Sequence, residues 1–231
     1  MHKIDIEQNS DVWFDFRRYK IGGSKVKGVK PLSRGKYKGL AEGAVGFWKL
    51  IAERLSLPKD AEDERARGHR LEALALEKSN AKYGLSLVRG TIWQSDENER
   101  LYISPDGEPG IGDVALYAQE TKAFDPDKHL RLIWEDIQNQ KKENYRPFDS
   151  VPDENQDQVI HYFSINENLQ TLYWTLISDS VAYEEMEHYS IIIERSTIEE
   201  EIAKQKEVEQ QVINRTDQIV RELVDVLVKG E

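Results

Sequence analysis

From Ala61 onward the apolar period changes in the order helix, three strands, two helices and two strands, a mixed α/β pattern. A helix is predicted over Ala61 to Tyr83, with Gly84 just beyond its end. Three mostly antiparallel strands follow, over Leu85–Trp93, Leu101–Ser104 and Asp113–Thr121. Asp125 to Asn139 reads as a helix with Leu130, Ile133, Trp134 and Ile137 on one side, and Lys141 to Val151 as a polar loop. A helix opened by Asp153 or Glu154 then leads to strands at Leu169–Ile177 and Tyr189–Glu194. Upstream, Glu42 to Leu55 has helical spacing. Downstream, Ser196-Thr197-Ile198-Glu199 has the form of a capping box and opens a long terminal helix.

Polar residues stand at the ends of these apolar runs. Asp106 closes Leu101-Tyr102-Ile103, and Glu120 and Lys122 end the run Val114 to Ala118, so the acids are expected where two neighbouring strands finish. Glu120 and Lys122 are two apart and face one side of a strand. Glu72 lies beside the apolar stripe of the helix before them, while Gln158 and Tyr162 lie on the helix after them. Carboxylates suit Mg²⁺ with waters left on it, and such an ion polarises phosphate and activates water. The set therefore fits metal-assisted phosphodiester hydrolysis.

Composition narrows the alternatives. A chain of 231 residues with 39% hydrophobic content supports one sizeable core, and one domain is expected. With no cysteine, thiolate catalysis, disulfides and Cys-held zinc or iron–sulfur centres are excluded, so a metal would be held by O and N ligands. There is no membrane-length apolar stretch and no secretory-type start, so a cytoplasmic location is expected, that of the host if the chain is phage-encoded. The net charge of −11 argues against a protein that coats nucleic acid. Yet Arg17, Arg18, Lys20, Lys25, Lys27, Lys30, Arg34, Lys36 and Lys38 stand without an intervening acid, among glycines and Tyr37, as a local phosphate-binding candidate.

Pro105-Asp106 and Glu120-x-Lys122, with Glu72 in Arg67-Gly68-His69-Arg70-Leu71-Glu72 and Gln158-x-x-x-Tyr162, resemble the PD-(D/E)xK nuclease superfamily. Trp13-x-x-x-Arg17 and Ile21-Gly22-Gly23-Ser24 extend the resemblance to the YqaJ-type viral recombinase and phage lambda exonuclease family, over about Trp13 to Trp174. The resemblance implies an α/β fold with a restriction-endonuclease-like αβββαβ core, a central mixed sheet flanked by helices. Residues 1–195 are read as the nuclease domain, and 196–231, outside the part that resembles the family, as a long C-terminal amphipathic helix for packing or assembly. Glu72, Asp106, Glu120 and the Thr121 backbone carbonyl would surround Mg²⁺, for which Mn²⁺ could substitute. Lys122 would assist the water, Gln158 and Tyr162 would lie beside the active site, and Arg17 and Ser24 would grip the 5′-phosphate of a DNA end. The implied activity is digestion of linear duplex DNA from 5′-phosphorylated ends, leaving 3′ single strands for phage-type recombination. Implied partners are DNA ends, a single-strand annealing protein and further copies of the chain in a ring-shaped trimer.

The sequence departs from the family at Thr121, a polar residue where an apolar one is usual, and in the charged, helical stretch Lys128 to Pro152. An endonuclease on the same fold and a non-catalytic module binding DNA ends or a partner remain the alternatives. His69, His129, His161 and His188 lack metal-ligand spacing and are expected to be satisfied core or surface residues; Trp134 and Trp174 are expected in the core. The terminal helix is expected to pack against its own domain, since its apolar positions are too sparse between Lys204 and Gln211 for a heptad seam.

Overall fold

The computed structural model describes residue 38 and residues 43–55, 64–98, 101–110 and 114–225. The helices are α1 (Val45–Leu55), α2 (Glu64–Tyr83), α3 (Pro126–Asn139), α4 (Asp153–Ile165), the short α5 (Glu184–Glu187) and α6 (Glu199–Val224). The strands are β1 (Leu87–Arg89), β2 (Trp93–Gln94), β3 (Tyr102–Ile103), β4 (Gly107–Pro109), β5 (Tyr117–Ala123), β6 (Thr171–Ile177) and β7 (His188–Glu194). Five of them form one sheet in the order β1-β4-β5-β6-β7, and β2 and β3 form a separate antiparallel pair. The expected α/β class is thus present, with α2, β5, α4 and β6 standing where the sequence placed a helix, a strand, a helix and a strand.

The three-strand reading between residues 85 and 121 needs correction. Five short strands occupy that stretch, and Asp106 does not close the strand of Leu101–Ile103. That strand pairs with β2, Trp93 opposite Ile103, while Asp106 stands at the head of β4. β4 pairs antiparallel with β1, Val88 opposite Glu108, and meets β5 at Gly107 opposite Gln119. Nor do Glu120 and Lys122 end a strand: both lie inside β5, where Ala118 to Thr121 form an unbroken buried run, as in a strand covered on both faces.

Helix ends follow local chemistry. Gly84, at φ 66°, takes the left-handed conformation that ends α2. Pro126 follows the N-cap Asp125 in α3, where its missing N–H costs nothing. The capping box predicted at Ser196 does not form: Arg195–Thr197 make a 3₁₀ turn, the Thr197 hydroxyl donates to the Glu194 carbonyl at 2.7 Å, and α6 starts at Glu199.

The chain divides into two compact units, Met1–Tyr83 with Thr121–Glu143 and Thr175–Ser190, and Gly84–Glu120 with Asn144–Trp174 and Ile191–Glu231. In the first, Leu71 and Ala75 of α2 meet Ile177 of β6, and Ala52 of α1 meets Leu130 of α3 and Val181. In the second, Val159, Tyr162 and Phe163 of α4, Leu172 and Trp174 of β6 and Ile191 and Ile193 of β7 are buried. Ile198 and Ile202 are buried there too, so the start of the terminal helix packs within this unit. Val208 and Val212 further along it are exposed. The Arg195 guanidinium closes this unit by donating to the carbonyls of Phe163, Asn166 and Leu169, each at 2.7 Å. Trp174 is in the core, whereas Trp134 is 47% exposed, contrary to expectation.

Candidate active site

The site is assembled around the backbone of Pro105 and Asp106. That backbone passes so close to Gly90 that a Cβ there would lie 1.9 Å from the Pro105 carbonyl oxygen. The Gly90 N–H donates to the Asp106 carbonyl (3.2 Å), and the Asp106 N–H donates to the Gln119 carbonyl (3.0 Å). The Asp106 peptide is therefore fixed on both sides, next to the residue that precedes Glu120. Proximity of the two acids comes from this strand register and not from a shared strand end.

Glu120 is 5% exposed, and one helix holds both of its carboxylate oxygens. Gln158 Nε2 donates to Oε1 at 2.8 Å, and the Tyr162 hydroxyl donates to Oε2. Gln158 and Tyr162 are four apart on α4, so a single helical face delivers both donors. The Tyr162 hydroxyl also lies 3.3 Å from the Ser104 carbonyl, two residues before Asp106. Burial, then the charge of Glu120 and the bond to it, then the charge of Asp106, push the Tyr162 phenol well above its ordinary pKa. The phenol therefore stays protonated and serves as a donor. Both acids act on this one phenol, so Asp106, Glu120, Gln158 and Tyr162 form one group.

Around them Trp93 packs edge-on to Tyr162, ring centroids 6.3 Å apart. Its indole N–H and the Thr91 N–H donate to the buried carboxylate of Glu108. Sequence reading passed over Glu108 and Gly90. The only signal for Glu108 was its position two residues beyond Asp106, and Gly90 carried none, because the backbone that crosses it is distant in sequence.

The remaining expected residues are placed as follows. Thr121 and Lys122 continue β5, and Lys122 projects to the same side of the strand as Glu120. Glu72 lies on α2, in the first unit, with its carboxylate 3.4 Å from His69 Nδ1. Arg17, Ser24, Trp13 and the basic run apart from Lys38 lie outside the described residues. The described histidines have partners of their own: His129 Nε2 the Met186 carbonyl at 2.7 Å, His188 Nε2 the Ser79 hydroxyl at 2.8 Å, and His161 both Glu209 and the Tyr102 carbonyl.

Among the described residues no group of three or more His, Asp or Glu side chains stands at metal-holding spacing. The pair Asp106 and Glu120 nonetheless suits Mg²⁺, which is commonly held by one or two carboxylates and completes its shell with waters and substrate phosphate. Gln158 and Tyr162 orient the Glu120 carboxylate by one donor at each oxygen. The negative field that both acids place on Tyr162 is of the sign a cation would offset. Among the described residues no helix is long and apolar enough to cross a membrane.

Solved structures similar to this chain include the alkaline exonuclease LHK-Exo of Laribacter hongkongensis, at 17% identity over 94% of this chain and 100% of that one, with a TM-score of 0.49. The phage-related exonuclease of Haemophilus somnus 129PT is similar at 17% identity over 84% of this chain and 94% of that one, with a TM-score of 0.36. No protein-family model and no curated protein matches the chain.

Proposed function

We propose that this chain is a Mg²⁺-dependent exodeoxyribonuclease that degrades linear duplex DNA from 5′-phosphorylated ends and leaves 3′ single strands. The observation that carries the reading is the buried Glu120 carboxylate, held at both oxygens by Gln158 and Tyr162 with Asp106 beside it. A surface ion pair needs no such support. A carboxylate whose rotamer is locked by two donors is oriented for one task, the arrangement found around metal ligands.

In this reading Asp106 and Glu120 hold the ion, and the Thr121 carbonyl adds a donor. When bound, the ion supplies a polarised phosphate and a water of lowered pKa. The chain's own residues do the rest. Gln158 and Tyr162 fix Glu120, the Gly90 and Gln119 backbones fix Asp106, and Lys122, on the Glu120 side of β5, offsets charge on the phosphate and orients the attacking water. The sequence motif adds Glu72 as a ligand and Arg17 with Ser24 as the grip on the terminal phosphate. An Arg fork with a short hydroxyl donor suits a phosphate dianion. The same motif supports digestion for recombination, with a single-strand annealing protein and a homotrimer as partners.

Digestion of a linear 5′-phosphorylated duplex, its 5′-hydroxyl twin and a closed circle tests end selectivity. The proposal expects loss of the phosphorylated linear DNA, slower loss of its twin and an intact circle. A cut circle would make the chain an endonuclease on the same residues.

A further inference from the structure

His161 belongs to no motif, yet it is joined to the acidic pair through two strands of contact. It precedes Tyr162 on α4 and points away from it, toward β3 and α6. Its Nε2 meets the Tyr102 carbonyl at 3.0 Å and its Nδ1 meets Glu209 Oε1 at 2.7 Å. A carbonyl and a carboxylate only accept, so the ring N–H of His161 faces an acceptor at either nitrogen. Gln205, one turn before Glu209 on α6, donates to the same Oε1 at 2.9 Å. Glu209 Oε2 is buried and has no hydrogen-bond partner among the described residues, so Oε1 carries the hydrogen bonds of this carboxylate.

Adjacent residues of α4 thus stand against two carbonyls of one short segment. His161 takes Tyr102, and the Tyr162 hydroxyl stands at Ser104. Two residues beyond Ser104 is Asp106. The segment is otherwise tied to the two-stranded pair β2-β3, with Ser104 Oγ donating to the Thr91 carbonyl at 3.2 Å. The helix that orients Glu120 from one face therefore also sets the approach of Asp106 from another.

We infer that His161 is a positioning residue for the acidic pair, oriented by Glu209 of the terminal helix, so that α6 contributes to the geometry of the site. The inference rests on the metal-dependent reading above. Groups that hydrogen-bond metal ligands directly change metal affinity or activity by about 10- to 100-fold when removed, and a group one contact further out is expected at the lower end of that range.

The test compares the natural protein with His161→Leu, His161→Gln and Glu209→Gln, using calorimetric titration with Mg²⁺ or Mn²⁺ and the Mg²⁺ dependence of linear-duplex digestion. His161→Leu removes both ring contacts at similar bulk; its metal affinity should fall about tenfold or more, with the same rise in half-saturating Mg²⁺ and an unchanged KM for DNA. His161→Gln, whose amide reaches the Tyr102 carbonyl, should recover most of the loss. Glu209→Gln keeps the ring and keeps the helix folded, and should weaken metal binding about threefold, an intermediate step on the same scale. His161→Leu that melts cooperatively and binds metal as the natural protein does would overturn the inference. If His161→Leu fails to fold, an unchanged Glu209→Gln would overturn it instead. A natural protein that neither binds the ion nor cuts DNA would remove the functional reading itself, and this inference with it.

Discussion

The Tyr162 hydroxyl donates to the Glu120 carboxylate in the interior of the second unit, where both residues are buried. A protonated phenol against a carboxylate is a fixed orientation device, because burial first and then the charges of Glu120 and Asp106 oppose its ionisation.

Tyr162→Phe removes that donor and leaves a buried carboxylate oxygen short of a partner. The expected cost is about 1–3 kcal/mol in stability and a fall in digestion rate of about 10- to 100-fold. Gln158→Leu should act similarly through the other oxygen, and the double variant should be less than additive because both residues hold one group. Urea unfolding and single-turnover digestion measure the two effects.

Gly90→Ala tests whether the Pro105–Asp106 backbone is held where it is needed. The added Cβ collides with the Pro105 carbonyl, and the relief must come from backbone beside Asp106. Overpacking of this kind costs about 1–3 kcal/mol, and an ångström of misplacement can cost about a hundredfold in rate. The expected variant is folded and nearly inactive. Wild-type rates would show that the position of Asp106 does not matter.

Arg195→Met should destabilise the second unit without touching the acids. Three carbonyls lose a charged donor, and the long apolar side chain keeps the packing against Phe163. About 3 kcal/mol is expected, read as a lower urea midpoint, with metal affinity preserved in the folded fraction.

Acid should weaken the first unit through His188. Burial first, then the charges of Lys82 and Lys78, lower its pKa from 6.5 to about 4. The unfolded chain therefore takes up this proton before the folded one does. Its contribution to stability is complete above pH 6.5 and is lost as pH falls toward 4. A melting temperature followed from pH 7.5 to 4.5 should decline in that window, and His188→Gln should flatten the decline.

Long elements with a single period were legible in the sequence, and so was the pairing of Gln158 with Tyr162, since four residues on a helix must share a face. The split of residues 85–121 into two sheets was not, because strands of two or three residues carry no period. Trp134 was misplaced for a related reason. The buried face of α3 includes His129 and Asp136, polar residues that hydropathy assigns outward. Their partners, the Met186 carbonyl and the Tyr189 hydroxyl, come from far along the chain. The capping box at Ser196 lost to a 3₁₀ turn that the Arg195 contacts require. For the acids, residue types were readable but the register that joins them was not, since it depends on the Gly90 N–H donating to the Asp106 carbonyl and the Gln119 carbonyl accepting the Asp106 N–H.

The most direct test of the central claim is digestion of linear 5′-phosphorylated duplex in Mg²⁺ and in EDTA by the natural protein and by Glu120→Gln. The amide keeps the shape of Glu120 but not its charge. The account predicts Mg²⁺-dependent digestion by the natural protein, none in EDTA, and a loss of at least about a hundredfold in the variant. Digestion that persists in EDTA, or a Glu120→Gln variant as active as the natural protein, would contradict it.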